Sequence, residues 1–238
     1  HAPYTCSADY LRLTADTAKE LGCGIHIHLA ETQQEVKDCV AKNGMTPIQF
    51  VDSLGILDAG CLVAHGVWAT EEEISLLVAK KARVAHNPQS NLKLASGIAP
   101  VEKMRQKGVV VGLGTDGATS NNNLDMLEET RLTAMLHKTV AYDPLAIPAA
   151  AAWDMATYQG ARCIGYENLG KLEEGFLADI VLYDMNKPYW HPRHDRLSLL
   201  VYAANAGDAD TAIINGKVIM EKKEVKTLDA EKIYAEAD

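Results

Sequence analysis

A chain of 238 residues with 47% hydrophobic and 23% charged residues has the composition of an ordinary globular protein, long enough for one large domain or one and a half. The formal net charge of -9, with no basic cluster to offset it, excludes a nucleic-acid partner, and no apolar run approaches the ~20 residues of a membrane span. Five scattered cysteines (Cys6, Cys23, Cys39, Cys61, Cys163) form no C-x-x-C pair, which suits a reducing, cytoplasmic setting better than a disulfide framework. The chain opens at His1 without an initiator Met or a signal peptide and reads as a piece of something longer.

Ser7 is the expected N-cap of a helix from Ala8 to Leu21, stopped by Gly22 and Gly24. Ile25 to Leu29 alternates with period two and reads as a strand, and a helix follows from Gln33 to Lys42. Thr46-Pro47 opens another short helix that closes at Gly55. Cys61 to His65 is the next strand, and Thr70 with Glu73 forms a capping box ahead of a helix over residues 71–81. Arg83 to His86 is a third strand, followed by a polar loop, Asn87 to Asn91, and a helix from Pro100 to Lys107. The β-branched run Val109-Val110-Val111 reads as a fourth strand, buried on both faces, that leads to Asp116. Helices are expected over 124–140 and 147–158. After about Gly165 the pattern turns to strands, at 176–183 and across an Asn215-Gly216 hairpin, with a last helix from Asp229.

Strand and helix alternate through short connections, which is the pattern of parallel βαβ units. Four such units make half of an eight-stranded barrel. The fold expected is therefore α/β: about half of an eight-stranded barrel, then, after about Gly165, part of a small β-domain.

In each of the four units, polar or ionisable residues stand at the strand's carboxyl end: His28 with Glu31, then His65, then His86 with Asn87, then Asp116. A single histidine there is more often a packed or surface group than a ligand. Four consecutive strand ends favour a metal site, since imidazole and carboxylate are the ligand set of a zinc-like ion. Period two places His26 and His28 on one side of their strand; His28, nearer the carboxyl end, is the better ligand, and His26 is left as packing. Gly112, Gly114 and Gly117 also spell G-x-G-x-x-G, the dinucleotide fingerprint of an NAD-dependent oxidoreductase. That reading loses ground because the loop is expected to run on through Asn123 before any helix, and Asp116 would lie beside the phosphates.

His28-Leu29-Ala30-Glu31-Thr32, Ala64-His65-Gly66, Ala85-His86-Asn87-Pro88-Gln89-Ser90-Asn91-Leu92-Lys93-Leu94 and Leu113-Gly114-Thr115-Asp116-Gly117 resemble the amidohydrolase superfamily, in that family's order. More closely they resemble its branch of S-adenosylhomocysteine and 5'-methylthioadenosine deaminases and related chlorohydrolases, as do His1-Ala2-Pro3-Tyr4 and Ser96 to Val101. The resemblance implies the C-terminal half of a metal-dependent (β/α)8 barrel over residues 1–168 and part of a composite β-sandwich domain over 169–238. It also implies one divalent metal ion, Zn2+ first with Fe2+ or Mn2+ as alternatives, and hydrolytic deamination of an adenosine-type compound. Metal-activated hydroxide would attack the amino-bearing ring carbon and ammonia would leave. By motif, His28 and Asp116 match metal ligands and Asp116 also touches the nucleophilic water. Glu31 matches a proton shuttle to the ring nitrogen, His65 the residue that steadies hydroxide or developing charge, and His1 a substrate-contacting histidine. His86, Asn87 and Ser90 are candidates for shaping the site, without an assigned role.

The family's first-strand His-x-His pair would precede residue 1, so this stretch holds two of the usual four protein ligands. The alternatives are another amidohydrolase substrate, such as guanine or a triazine, or a fragment inactive as it stands. The expected partner is a small purine nucleoside-type molecule; self-association is open.

Overall fold

The computed structural model describes residues 1–237. Helix α1 (Ala8–Leu21) begins where the Ser7 side chain accepts from Tyr10 N and ends at Gly22, whose φ of 64° is left-handed; Leu11, Ala15 and Ala18 form its buried face. Strand β1 (His26–Leu29) leads to α2 (Gln33–Asn43), capped by Thr32, and α3 (Pro47–Ser53), opened by a Thr46/Gln49 capping box. Strand β2 (Leu62–His65) is followed by α4 (Glu71–Ala79), where the Thr70/Glu73 capping box forms as expected. Strand β3 (Arg83–His86), α5 (Pro88–Lys93), α6 (Val101–Gln106) and β4 (Val111–Leu113) complete a four-stranded sheet in the order β1-β2-β3-β4, parallel throughout.

The pleat separates the two faces of this sheet. Ile27, Val63, Val84 and Val111 point into the main core with Leu11, Ile48, Leu57, Ile74, Leu77 and Met104. His26, His28, Leu62, Ala64, Ala85 and Gly112 line a cavity of about 410 Å3 on the other face. Two-sided burial, expected of the β4 run, holds for Val111 and Gly112, but the strand starts only at Val111, two residues late. His26 is exposed rather than packed, its ring parallel to that of His28 at 6.5 Å between centroids.

Three stretches depart from the sequence expectation. Asn87 to Asn91 is not a loop: α5 starts at Pro88, immediately beyond β3. The chain after Gly117 is not an extended loop either, because Gly117 N-caps the one-turn helix α7 (Ala118–Asn121). The expected helix over 147–158 is two helices, α9 (Ala149–Ala156) and α10 (Tyr158–Cys163), broken at Thr157, which leaves the helical region at ψ -93°.

Between α7 and α9 lies the long α8 (Met126–Ala141), N-capped by Asp125. Asp125 Oδ1 accepts from Leu127 N and Glu128 N, while Oδ2 accepts from Ala206 N at 2.9 Å and so ties the carboxyl-terminal part to the helix layer. That part holds β5 (Ile180–Tyr183), α11 (Arg196–Tyr202), β6 (Ala209–Ile214), β7 (Lys217–Glu221), β8 (Glu224–Val225) and α12 (Ala230–Ala237). The four strands form a separate antiparallel sheet in sequence order. The hairpin turn falls at Asn215-Gly216 as expected, both with positive φ (48° and 75°). A small second core of Trp190, Leu127 and Ala204 joins this part to α8; Trp190 Nε1 and Tyr189 both donate to the buried Asp208. Among the described residues no helix is long and apolar enough to cross a membrane.

Glycine is obligatory where α10 meets β4. A Cβ on Gly112 would stand 2.8 Å from Gly160 Cα and 3.0 Å from Cys163 Sγ, and backbone cannot yield as a flexible side chain does. Gly112→Ala is expected to destabilise the protein by about 1–3 kcal/mol, as overpacking does. Denaturant unfolding of the variant beside the parent checks this, and an unchanged midpoint would contradict it.

Candidate active site

The strand ends converge. Ligand atoms of His28, His65 and Asp116 lie within 4.8 Å of one another, although the residues come from β1, β2 and the turn after β4. His28 reaches this point because it shares the inward face of β1. His65 does not follow from the same pattern, since Val63, two residues earlier, packs into the core. At His65 the backbone turns left-handed (φ 74°), and the ring comes within 5.3 Å of His28 between centroids. Asp116 has the same device (φ 63°). Non-glycine residues hold such conformations at a cost of about 1–3 kcal/mol, and they cluster where geometry matters more than stability.

Each group is oriented by partners. His28 Nδ1 donates to His1 O at 3.0 Å, because a carbonyl only accepts, which leaves Nε2 as the bare ring nitrogen of the neutral form. His65 Nδ1 lies 2.9 Å from Asn91 Oδ1 and donates to it, and Nε2 is buried with no hydrogen-bond partner among the described residues. A buried nitrogen without a partner is costly unless something occupies the space before it. Glu31 Oε2 stands 3.8 Å from that nitrogen, and Glu31 Oε1 accepts from Ser96 Oγ at 3.1 Å. Asp116 Oδ2 accepts from Ser90 Oγ at 2.6 Å and from Ser120 Oγ at 2.7 Å. Burial alone would raise the Asp116 carboxyl, but those two hydroxyls, the Gly117 N–H and the nearby His65 outweigh it and hold the group below the usual carboxylate range.

Two imidazoles and an ionised carboxylate, with a buried bare nitrogen among them, are a donor set that fits a zinc-like cation. His1 borders the set, its ring 4.8 Å from that of His28 and its carbonyl accepting from both the backbone N–H and Nδ1 of His28. Asn87, 3% exposed, presses against the chain leading to Asp116: its Oδ1 lies 2.6 Å from where a Gly114 Cβ would stand. His86 is not brought into the cluster. Its fully buried ring faces α8, with Nε2 3.2 Å from His137 Nε2.

The structure adds residues that the sequence reading passed over. Glu35, though charged, is buried, and its carboxylate accepts from Ala30 N at 3.0 Å and Glu31 N at 2.7 Å, fixing the turn that carries Glu31. Thr32-x-x-Glu35 is a capping-box pattern and was the available signal; here the glutamate reaches past the cap residue. Glu129 and His137 on α8 carry no comparable mark.

The sequence profile described as "Amidohydrolase family" matches residues 1–219. The chain belongs to the amidohydrolase family. This amidohydrolase chain is 53% identical over 238 residues to a 5-methylthioadenosine/S-adenosylhomocysteine deaminase of Dictyoglomus thermophilum, covering 100% of this chain and 56% of that protein. Its fold superposes with a TM-score of 0.96 on a zinc-bound adenosine deaminase from Xanthomonas campestris, at 38% identity, covering 100% of this chain and 54% of that one. A zinc-bound atrazine chlorohydrolase from Arthrobacter aurescens gives a TM-score of 0.88 at 29% identity, over 97% of this chain and 51% of that one. This chain thus spans about half the length of the relatives it matches.

The buried histidine pair beside the site makes a pH prediction. Burial lowers His137 from 6.5 to about 4 and His86 well below its ordinary value. A histidine whose folded pKa is depressed contributes stability above pH 6.5 and loses it as pH falls towards 4. Glu129, raised by burial to about 7, works in the opposite sense over the same range, so only a difference between variants isolates the histidine. Relative to His137→Gln, the parent should lose roughly 2 kcal/mol between pH 7 and pH 5. Denaturant unfolding of both at the two pH values checks it; a pH-independent difference would contradict it.

Proposed function

We propose that this chain forms part of the catalytic centre of a metal-dependent hydrolytic deaminase acting on adenosine-type compounds such as S-adenosylhomocysteine and 5'-methylthioadenosine. The observation that carries this is the convergence of His28, His65 and Asp116, with Glu31 beside them, in a chain 53% identical to a deaminase of that name. In this reading residues 1–168 supply the second half of an eight-stranded barrel, and 169–238 supply part of a β-sandwich domain completed by preceding chain.

His28 and Asp116 would hold the cation, with His65 Nε2 close by. When bound, a zinc-like ion lowers the pKa of water to about 7 and so supplies a nucleophile near neutrality. The protein's own groups then move the protons. Glu31 protonates the ring nitrogen next to the amino-bearing carbon and makes that carbon electrophilic. His65, its Nδ1–H held by Asn91, presents Nε2 to accept a hydrogen bond from the attacking water and orient it. Asp116 takes the water's proton and passes it to the departing amino group, which leaves as ammonia. The remaining hydroxyl proton returns to Glu31 as the carbonyl forms, so the enzyme ends as it began. His1 stands at the rim, where it can contact the nucleoside.

Ammonia release by the full-length protein, assayed with zinc on S-adenosylhomocysteine, 5'-methylthioadenosine and adenosine, tests the reading. Turnover of at least one is expected, and none with any of the three would reject the substrate class. Asp116→Asn keeps the shape and removes the proton acceptor, and is expected to lower kcat by about 10^2–10^4-fold without loss of folding.

A further inference from the structure

Adjacent residues of the short helix α5 reach two different strand ends. Ser90, fully buried, donates to Asp116 Oδ2 beyond β4, and Asn91, 1% exposed, accepts from His65 at the end of β2. Neither contact is local: each spans 26 residues of sequence. Ser120 on α7 donates to the same Asp116 oxygen from the other side. The Ser120 hydroxyl also lies 3.1 Å from Gly117 O, but its single proton goes to the nearer, charged acceptor. Oδ1 of Asp116 is left without a side-chain donor among the described residues, so the aspartate presents one committed oxygen and one available one.

The two helices that carry these groups are too short to hold their own register, at six and four residues. Their polar ties do it instead. Gln89 N donates to Glu129 Oε2 at 3.1 Å, and Asn121 Nδ2 donates to Glu129 Oε1 at 2.5 Å, so one carboxylate on α8 bridges α5 and α7. Gln89 Nε2 donates to Asn121 O at 3.0 Å and Lys93 Nζ to Thr119 O at 2.8 Å, closing the bracket. Glu129 is 0% exposed. Burying that carboxylate carries a desolvation cost that its bonds to Gln89 N and Asn121 Nδ2 offset, and what those bonds contribute is the spacing between α5 and α7.

We propose that Ser90, Asn91 and Ser120 are positioning residues, locked in register by Glu129, that aim the free oxygen of Asp116 and Nε2 of His65 at one common point. The proposal rests on the reading of that point as a zinc site. It gives the Asn-Pro-Gln-Ser-Asn stretch after β3 a purpose: the stretch is a bracket between two strand ends. Partners of this kind behind metal ligands alter metal affinity or activity by about 10–100-fold.

The test measures zinc affinity of the full-length protein by competition with a chelator, alongside kcat and KM for ammonia release and thermal melting. Ser90→Ala and Ser120→Ala are each expected to weaken zinc by about 10–100-fold with KM little changed. Ser120→Thr, which keeps the hydroxyl, should recover most of the affinity. Asn91→Leu should lower kcat, and Asn91→Asp, which keeps the acceptor, should restore it. Should Ser90→Ala not fold, Ser120→Ala, at a position 9% exposed, decides the matter. Parent-like zinc affinity in the folded alanine variants would overturn the proposal, as would equal losses in Ser120→Ala and Ser120→Thr. A parent protein that binds no zinc would overturn it together with the metal reading. A parent that binds zinc yet releases no ammonia would reject the deaminase reading alone, and the zinc affinities would still decide the positioning.

Discussion

An ionised carboxylate in a partly desolvated cleft must be given donors, and in this protein those donors set the layout of the site. Burial pushes the Asp116 carboxyl towards protonation; the Ser90 and Ser120 hydroxyls and the Gly117 N–H reverse that push. Supplying two hydroxyls from two different helices requires α5 and α7 to stand at a fixed separation, and that in turn requires the buried Glu129 between them. The electrostatics of one residue thus dictate the packing of three helices. The cost shows in left-handed backbone at His65 and Asp116 and in a buried glutamate.

Much of this was legible from local chemistry. Arg83–His86 has the bounds that its sequence suggests, the Thr70/Glu73 capping box forms, and the Asn215-Gly216 turn closes its hairpin, because each depends on residues within a few positions of one another. The strand-end pattern of His28, His65 and Asp116 was legible for a different reason. In parallel βα units the carboxyl ends lie along one edge of the sheet, so these three separate motifs become neighbours once the order of elements is known.

What escaped the sequence depends on contacts across the fold. Period two places His65 on the side of Val63, in the core; only the left-handed turn brings it to His28, and nothing adjacent in sequence announces that turn. Asn87 to Asn91 has the composition of a loop and no apolar period, yet the chain is helical from Pro88, with α8 supplying the acceptor for Gln89 N. Glu129 and His137 look like the solvated face of α8 and are buried, since each answers a polar group contributed by another segment. His26, left as packing because His28 stands nearer the strand's carboxyl end, lines the open face of the sheet instead.

The central claim is that His28, His65 and Asp116 gather around a metal ion, and X-ray absorption at the zinc edge tests it most directly. For the zinc-loaded full-length protein the account expects nitrogen and oxygen neighbours only, at about 2.0–2.2 Å, with the multiple scattering of imidazole and a spectrum altered by His28→Ala. Sulfur at about 2.3 Å, from any of the five cysteines, or a spectrum indifferent to His28→Ala, would contradict it.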